Sequence, residues 1–273
     1  MCPIGVFDSG VGGLSVLQAL QEELPCERFV YIADSGHAPY GERDDTHIVT
    51  RSRAIAHHLV QQHNIKALVV ACNTATAAAI QALRQLHPAL PIIGIEPALK
   101  PAAATSQTHV IGVMATRGTL NSEKFRNLLQ SLHGQATFVL QPCDGLADAI
   151  EHADAIKIGA ACAYYTGAMG RFGLNSGEID TLVLGCTHYP FAIAELRAQV
   201  GEQVVFLEGG APVARQTRRV LAAGGQLVDP AAGPCAGQTT TPAFYTTGSV
   251  GTLRHAVQSW LHLQADARSV LIE

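Results

Sequence analysis

Two cysteines in this sequence have neighbours that suit chemistry. Residues 71–74 read ACNT and residues 185–188 read GCTH, and each cysteine directly follows a short apolar run. A free thiol has a pKa of about 8.5, and the N-terminus of a helix shifts it toward the reactive range. A single cysteine in such a place is more often a core residue, but two in matching settings favour a shared function. We therefore predict that Cys72 and Cys186 are reactive groups.

The settings of the two cysteines match because the chain repeats itself weakly. Three pairs of segments occur in the same order, and they are residues 4–9 with 111–116, 65–74 with 179–188, and 92–96 with 204–208. One such match carries little weight, but the common order indicates two related halves. If the halves face each other across a cleft, Cys72 and Cys186 flank one ligand from opposite faces. Inversion at a carbon centre needs such a pair, since one group removes a proton and another returns one on the far side.

Short apolar runs alternate with segments of helical periodicity along most of the chain. The predicted strands are residues 4–7, 29–33, 67–71, 92–95, 110–114, 137–140, 182–185, 204–207 and 244–246, and the predicted helices are 14–24, 47–63, 76–86, 122–132, 192–200 and 250–263. This alternation predicts parallel sheets that are covered on both faces, and ligands bind at the carboxyl ends of such strands. The predicted fold class is α/β, with two pseudo-symmetric parallel-sheet domains and the active site in the cleft between them.

The repeat also predicts where the domains begin and end. The first α/β domain is expected to comprise residues 1–97 plus 209–273, and the second residues 98–208. The segment from residue 209 exceeds what the second half needs, so we expect it to return to the first. Residues 224–242, rich in Gly, Pro and Thr, are predicted to form a surface loop, and Trp260, the single tryptophan, is predicted to anchor a core.

A glycine-rich segment follows the first predicted strand. Residues 8–13 read DSGVGG, and glycines allow a tight turn and a close approach of the backbone. Residue 15 is Ser, so the GxGxxG pattern is incomplete, and no GK[ST] follows, which disfavours a nucleotide-binding loop. Backbone N–H groups at the start of a helix favour a carboxylate instead.

Composition argues against several function classes. The formal net charge of −4 over 273 residues gives no electrostatic basis for nucleic-acid binding. The sequence contains no run of about 20 apolar residues that would predict a membrane span. Residues 1–4 do not resemble the start of a secretory signal, so we expect a cytoplasmic protein. The seven cysteines are scattered and predict no disulfide framework. The sequence contains no CxxC pair and no HExxH helix, so we expect no metal site.

Five segments together resemble those of the glutamate racemases, within the aspartate/glutamate racemase family. They are FDSGVGGLSVL at 7–17, PYG at 39–41, ACNTA at 71–75, GIEP at 94–97 and GCTHYP at 185–190. The segments occur in the order found in that family, and the resemblance extends from Ile4 to about Gly210. Such a set is far more specific than any one motif.

The resemblance implies a two-domain isomerase, an amino-acid racemase that interconverts L- and D-glutamate without a cofactor and supplies D-glutamate for peptidoglycan synthesis, cell-wall biogenesis and cell shape. It implies that Cys72 and Cys186 transfer the protons, that Asp8 and His188 assist the thiols on their respective sides, and that Pro39 shapes the pocket. Polar residues are implied to hold the charged groups of the substrate, and they are Ser9, Tyr40, Gly41, Asn73, Thr74, Thr116, Thr119 and Thr187. The expected partner is the small-molecule substrate glutamate, with no nucleic acid and no membrane, and a homodimer is allowed.

One segment departs from the pattern of that family. The family has Cys-Pro followed by an apolar stretch that ends in Glu near the second cysteine, whereas residues 142–151 here read PCDGLADAIE. Glu151 is the best match for the catalytic acidic group, and Asp148 is the alternative. Without the resemblance, Glu151 would be interpreted as a solvated helix residue.

Three other functions remain open from the residues. One is a two-thiol enzyme that acts on aspartate or a hydantoin, although residues 8–9 and 39–41 favour glutamate. A second is a pyridoxal-phosphate racemase, which needs a lysine for the cofactor; of the four lysines, only Lys100 lies near a predicted strand end. A third is a periplasmic-type binding protein, because two α/β halves around a cleft also suit ligand capture.

Overall fold

The computed structural model describes residues 2–228 and 241–273. Within them the strands are β1 (Ile4–Asp8), β2 (Phe29–Ala33), β3 (Ala67–Val70), β4 (Ile92–Gly94), β5 (Val110–Ala115), β6 (Thr137–Pro142), β7 (Thr181–Leu184), β8 (Val205–Leu207), β9 (Ala243–Thr246) and β10 (Ala267–Ser269). The α-helices are α1 (Leu14–Glu23), α2 (Asp45–His63), α3 (Asn73–Leu86), α4 (Leu99–Thr105), α5 (Arg117–Asn121), α6 (Glu123–Gln130), α7 (Leu146–Glu151), α8 (Ala155–Met169), α9 (Ile193–Val200), α10 (Gly210–Ala223) and α11 (Val250–Leu261). Short 3-10 helices span Ser35–His37, Tyr40–Glu42 and Tyr189–Ala192.

The strands form two parallel sheets. The first has the order β10-β9-β2-β1-β3-β4 and the second the order β6-β5-β7-β8, and every pairing between neighbouring strands is parallel. This architecture confirms the predicted α/β class with two parallel-sheet domains.

The two sheets share one internal order. In the first, β2-β1-β3-β4 lie side by side, and in the second β6-β5-β7-β8 do so, so each strand of the second sheet has a counterpart at the same place in the first. The three repeated segment pairs fall on β1 and β5, on β3 and β7, and on β4 and β8. The ordered repeat seen in the sequence therefore corresponds to a repeated topology.

The central strands of the first sheet, β1, β2 and β3, are buried on both faces because they are almost wholly apolar. Ile4 and Val6 of β1 pack in one hydrophobic cluster with α1, whereas Phe7 packs in another cluster with α2 and α3. All five residues of β1 are buried. Burying one large aliphatic or aromatic side chain contributes about 1.5–3 kcal/mol, so this two-sided core holds the strand ends in place.

The chain after residue 209 adds two strands to the first sheet. Strand β9 pairs with β2, and β10 pairs with β9. This pairing agrees with the expectation that the tail returns to the first half, while the exact domain boundaries stay a prediction. Trp260 of α11 is partly buried and stacks on Phe191 with ring centroids 3.6 Å apart. Both rings pack against a core cluster of each half, so Trp260 anchors an interface between two cores.

Several elements were absent from the sequence-based prediction. Helix α8 was missed because its sequence is apolar with scattered small residues, and its buried side chains are only Cys162, Thr166 and Met169. Helix α10 was missed because it starts with Gly and Pro, and the short edge strand β10 was missed too. Of the predicted loop 224–242, residues 229–240 lie outside the described residues. The thiols at positions 2, 72, 143, 162 and 186 are free, whereas Cys26 is disulfide-bonded.

Candidate active site

A cavity of about 220 Å³ opens between the two sheets. The residues around it follow the carboxyl ends of strands from both halves, as expected for parallel sheets. Its walls are Ser9, Ser35, Ala38, Pro39, Tyr40, Gly41, Cys72, Asn73, Thr74, Thr116, Ala147, Asp148, Glu151, His152, Cys186, Thr187, His188, Ser249 and Thr252. The cavity therefore brings together twelve of the fourteen predicted site residues, and only Asp8 and Thr119 are missing from its lining.

Cys72 lies where β3 gives way to α3. It is the N-cap of that helix, and the backbone N–H of Ala75 donates to its Sγ at 3.4 Å. The thiol donates to Ser9 Oγ at 3.7 Å. Burial, followed by the nearby Asp8 carboxylate, raises the pKa of the Cys72 thiol well above its ordinary value. The sequence-based expectation that the helix N-terminus lowers this pKa is thus wrong, because desolvation outweighs the helix.

Asp8 stands behind the cavity wall at the end of β1. Its side chain is fully buried, and its Oδ2 accepts a hydrogen bond of 2.7 Å from the backbone N–H of Gly13. Thr187 Oγ1 lies 3.5 Å from both carboxylate oxygens. Burial raises the pKa of Asp8 to about 6, against the opposing effects of His188 and Gly13. Asp8 thus reaches from the Cys72 side to the segment that carries Cys186.

Cys186 follows β7 and has an imidazole neighbour. Its Sγ lies 3.8 Å from Nδ1 of His188, and Nε2 of His188 lies 2.7 Å from Oε2 of Glu151. Burial opposes the charged imidazole, but hydrogen bonds to Cys186 and Glu151 raise the pKa of His188 well above its ordinary value. A protonated His188 can donate to the sulfur and to the carboxylate at once. The helix that follows Cys186 directly is only the 3-10 turn Tyr189–Ala192, so the imidazole replaces the helix terminus found at Cys72.

Glu151 of α7 also binds the first half of the molecule. Its Oε2 accepts from the backbone N–H of Val11 at 2.8 Å, and its Oε1 accepts from Ser35 Oγ at 2.6 Å. Although burial acts to raise the pKa of Glu151, the hydrogen bond and charge of His188 lower it overall. Asp148, the alternative acidic group, is half exposed and pairs with His152. The geometry thus favours Glu151 as the partner of His188, and the interpretation as a solvated helix residue is wrong.

The glycine-rich segment after β1 serves this contact between halves. A Cβ atom on Gly10 would overlap the Glu151 carboxylate, and one on Gly12 would overlap the imidazole of His188. Both glycines are therefore needed for a close approach of backbone to side chain, as glycine allows. The segment therefore packs against side chains of the protein itself, Glu151 and His188. This agrees with the absence of the nucleotide-binding pattern from its sequence.

Three threonine hydroxyls meet at one wall of the cavity. Thr74 Oγ1 lies 3.0 Å from Thr116 Oγ1 and 3.4 Å from Thr119 Oγ1, and Thr116 and Thr119 lie 2.9 Å apart. Thr74 belongs to the first half, and the other two follow β5 in the second. Thr119 is buried behind Thr116 and supports it, whereas Thr74 and Thr116 face the cavity.

Asn73 presents an unsatisfied polar atom at the cavity. The residue lines the cavity and is 6% exposed, and its Oδ1 has no hydrogen-bond partner among residues 2–228 and 241–273. A buried acceptor without a partner is costly. We therefore interpret Oδ1 as an acceptor that is ready for a ligand N–H group.

Seven cavity residues were missed in the sequence-based prediction. They are Ser35, Ala38, Ala147, Asp148, His152, Ser249 and Thr252, although Asp148 had been weighed as an alternative. Ser35 could have been found, because it follows predicted strand β2 by two positions. Ser249 follows β9, a strand that has no counterpart in the second sheet. The repeat therefore gave no reason to place Ser249 at the cavity.

The described part of the chain holds no group of three or more His, Cys, Asp or Glu side chains suited to a metal ion. In the same residues no helix is long and apolar enough to cross a membrane. Lys100, the pyridoxal-phosphate candidate, is exposed on α4 and is not among the residues that line the cavity. The polar side chains that line the cavity carry thiol, imidazole, carboxylate, hydroxyl and amide groups.

Comparisons with known proteins show the family to which this chain belongs. The family model described as "Asp/Glu/Hydantoin racemase" matches residues 4–217. The chain is 44% identical over 273 residues to the glutamate racemase of Cupriavidus pinatubonensis, with 99% of this chain and 96% of the relative covered. It is 44% identical over 259 residues to that of Ralstonia pickettii, with 95% and 88% covered.

Solved structures show the same fold. The glutamate racemase isoform RacE1 of Bacillus anthracis superposes with a TM-score of 0.82 at 33% identity, covering 99% of this chain and 97% of that one. The Escherichia coli glutamate racemase, solved in complex with L-glutamate and the activator UDP-MurNAc-ala, gives a TM-score of 0.80 at 28% identity, with 100% and 99% covered. The family model spans most of the chain, and the relatives are similar to nearly all of it. The chain therefore belongs to the Asp/Glu/hydantoin racemase family and is a racemase, an isomerase.

Proposed function

We propose that this protein interconverts L-glutamate and D-glutamate without a cofactor, by a mechanism with two bases. The observation that carries the proposal is that Cys72 and Cys186, at equivalent strand ends of the two sheets, line one small cavity. The names of the relatives support glutamate as the substrate. In this mechanism each thiol serves one face of the α-carbon.

The reaction needs one proton removed and one delivered. The thiolate of one cysteine takes the α-proton and becomes a thiol, and the α-carbon holds the electron pair as a carbanion. The thiol of the other cysteine then gives its proton to the opposite face and becomes a thiolate. The pair has exchanged protonation states, and exchange with water restores it. In the reverse direction the two cysteines trade roles.

The substrate supplies a charge to the Cys72 side of the cavity. Burial raises the pKa of the Cys72 thiol, so a thiolate there needs a cation. The ammonium group of a bound amino acid is such a cation, and an opposite charge within about 4–6 Å favours the ionised form. Asn73 Oδ1 is free to accept from that ammonium group. Binding and activation of the thiol are therefore coupled.

The other side of the cavity carries its own cation. Protonated His188, held by Glu151 at 2.7 Å, donates toward the Cys186 sulfur. The same charge can stabilise the carboxylate next to the reacting carbon, whose weak acidity is the main obstacle to the reaction. We assign Glu151 the role of keeping His188 charged and oriented.

The carboxylates of the substrate require donors. Ser9, Thr74, Thr116 and Thr187 present hydroxyl groups at the cavity, and the N-terminus of α3 adds backbone N–H groups there. We assign these groups, with Tyr40, Gly41 and Thr119 behind or beside them, to substrate binding. Pro39 shapes the wall between them.

We further propose that the D-glutamate serves peptidoglycan synthesis, that the protein acts in the cytoplasm, and that it forms a homodimer. Helix α8 leaves Ile156 and Tyr164 85% and 72% exposed, which is unusual for large apolar side chains in a monomer. Size-exclusion chromatography with light scattering tests the dimer, and a monomeric mass at all concentrations would refute it.

Turnover of optically pure amino acids tests the proposed function. Purified protein is incubated with L-glutamate, D-glutamate, L-aspartate or a substituted hydantoin, and circular dichroism follows the loss of optical activity. We expect both glutamate enantiomers to racemise to the same end point, with no absorbance band above 300 nm that would indicate pyridoxal phosphate. Faster turnover of aspartate or a hydantoin would change the substrate assignment. Glutamate binding with no change in optical activity would instead support a binding protein.

A further inference from the structure

One buried carboxylate near the cavity is not used by the proposed mechanism. Asp34 follows β2 and is fully buried, and it is not among the residues that line the cavity. A buried ion is tolerated only when it is paired and its oxygens are hydrogen-bonded. The partners of Asp34 should therefore show what the charge is for.

Arg51 of α2 forms an ion pair with Asp34 through two contacts. Its Nε donates to Oδ2 at 3.1 Å and its Nη2 donates to Oδ1 at 3.0 Å. This two-point geometry fixes the orientation of the carboxylate. The remaining Nη1 donates to the backbone carbonyl of Ile272 at 2.7 Å. The ion pair thus connects α2 with the chain that follows β10.

The other partners of Asp34 hold the segment that faces the cavity. Tyr40 Oη donates to Oδ2 at 2.6 Å, and His37 Nδ1 lies 3.2 Å from Oδ1. Thr247 Oγ1 donates to Oδ1 at 2.8 Å and accepts from the backbone N–H of Gly36 at 3.1 Å. Asp34 is therefore tied, directly or through Thr247, to residues at the start, middle and end of this segment.

Residues 35–41 contact both the substrate cavity and the support of His188. Ser35, Ala38, Pro39, Tyr40 and Gly41 line the cavity. Ser35 Oγ donates to Glu151 at 2.6 Å, and Glu151 holds His188. A shift of this segment would change the shape of the substrate cavity and the support of His188 together.

We propose that Asp34, oriented by Arg51, is a positioning residue that fixes residues 35–41 against the substrate, and that Ile272 contributes to this through its carbonyl. The proposal rests on the proposed racemase function. Asp34 touches neither the cavity nor the thiols, so it acts through Tyr40 and Ser35. A buried carboxylate is suited to holding this segment, because its two oxygens accept hydrogen bonds from several donors that come from separate elements.

The test compares Asp34→Asn with the parent enzyme. The amide keeps the shape but loses the charge and half of the acceptor capacity. We expect a folded protein whose kcat/KM for glutamate falls about ten- to a hundredfold, the loss typical when a substrate-positioning group is displaced, with KM carrying most of the change. Glu42→Gln, in the exposed turn after the segment, is the matched control and should leave both parameters unchanged. An Asp34→Asn protein with a lower Tm but parental KM and kcat would reduce Asp34 to a structural role and overturn the proposal.

A second readout does not depend on turnover. Hydrogen–deuterium exchange should rise in Asp34→Asn over residues 35–42, while β1 and β3 keep their protection. Unchanged exchange in the segment would overturn the proposal even if activity fell. If the parent enzyme failed to racemise glutamate, the proposed function would fail, and this exchange arm would still decide whether Asp34 holds the segment.

The contribution of Ile272 has its own matched pair. Ile272 is buried at 7% exposure, whereas the adjacent Leu271 is 84% exposed. Ile272→Ala loosens the residue whose carbonyl accepts from Arg51, and we expect KM to rise roughly threefold, within the range for remote coupling. Leu271→Ala should change nothing. Equal effects of both substitutions, or none from either, would remove Ile272 from the proposal.

Discussion

Cys72 and Cys186 occupy equivalent strand ends in two sheets of the same order, yet their surroundings differ. Cys72 caps a full helix, contacts the neutral hydroxyl of Ser9, and has the Asp8 carboxylate nearby. Cys186 precedes a single 3-10 turn and has His188 beside it, backed by Glu151. The repeat thus brings two thiols to one cavity, while the charge around each one is set by residues that differ between the matching segments, such as Asp8 and His188, and by Glu151.

This difference shows how one fold can host a reaction that is symmetric only in its end states. In the proposed mechanism the Cys186 side carries a built-in cation, protonated His188, and the Cys72 side requires the ammonium group of the substrate. We therefore expect variants on the two sides to respond differently to pH and to substrate concentration.

The largest expected effect comes from removing either thiol. Cys72→Ala or Cys186→Ala should lower racemisation by about 100- to 10,000-fold, the range for loss of a positioned proton-transfer group, since neither sulfur can reach both faces. Cys162→Ala removes a buried thiol that does not line the cavity and is the matched control. Circular dichroism of each folded variant supplies the rates. Substantial racemisation by either cavity variant would show that one base suffices.

The next effect concerns Asp8 and stability. The pKa of Asp8 rises from its ordinary 3.8 to about 6 on burial, so the folded state favours the protonated acid more than the unfolded state does. The associated stabilisation is complete below pH 3.8 and is lost as pH rises through 6, by about 3 kcal/mol at 1.36 kcal/mol per pKa unit. Asp8→Asn keeps the shape without the titration.

Urea unfolding of the parent and Asp8→Asn proteins at pH 4 and pH 7.5 measures this difference. The parent should lose about 2 kcal/mol relative to the variant between the two pH values, because part of the stabilisation is already lost at pH 4. Parallel pH profiles would show that Asp8 titrates alike in the folded and unfolded states, and the Cys72 side would then lack its buried acid.

A smaller effect is expected from Glu151, on the other side. Glu151→Gln keeps the shape of the side chain, but it leaves one oxygen acceptor where Val11 and Ser35 donate to two, and it removes the charge that holds protonated His188. We expect kcat/KM to fall by about ten- to a hundredfold, the range for loss of a group that orients a functional histidine, and the basic limb that reports His188 to move to lower pH. Asp148→Asn, half exposed on the same helix, should leave the pH profile unchanged. If the two variants behaved alike, Glu151 would have no special role.

The smallest effect concerns substrate recognition on the Cys72 side. Asn73→Ala removes the free Oδ1 acceptor, and loss of one hydrogen bond in a desolvated site costs about 1–3 kcal/mol. We expect this cost mainly in KM, because the ammonium group is bound in ground and transition states alike. Initial rates over a range of glutamate concentrations separate KM from kcat, and parental values for both would exclude Asn73 from binding.

The strands and the thiols were the part that the sequence could reveal. Apolar runs such as residues 67–71 predict buried strands. The ordered repeat indicated that Cys72 and Cys186 occupy equivalent positions in the two halves. Contacts between distant segments left no local signal. The bonds from Glu151 to Val11 and Ser35 join elements over a hundred residues apart, at separations of 140 and 116 positions. The direction of the pKa shift of Cys72 was predicted wrongly for the same reason, because the burial of the thiol depends on packing that a local motif does not show.

Solvent labelling tests the two-base reaction most directly. The enzyme is run in deuterium oxide with protiated L-glutamate, and the reaction is stopped after a few per cent of conversion. Proton NMR or mass spectrometry of the separated enantiomers then measures deuterium at the α-carbon. Two opposed thiols predict that D-glutamate carries one deuterium, delivered from an exchanged thiol, while the remaining L-glutamate stays protiated. Early D-glutamate that keeps the original proton, or equal labelling of both enantiomers, would contradict the account.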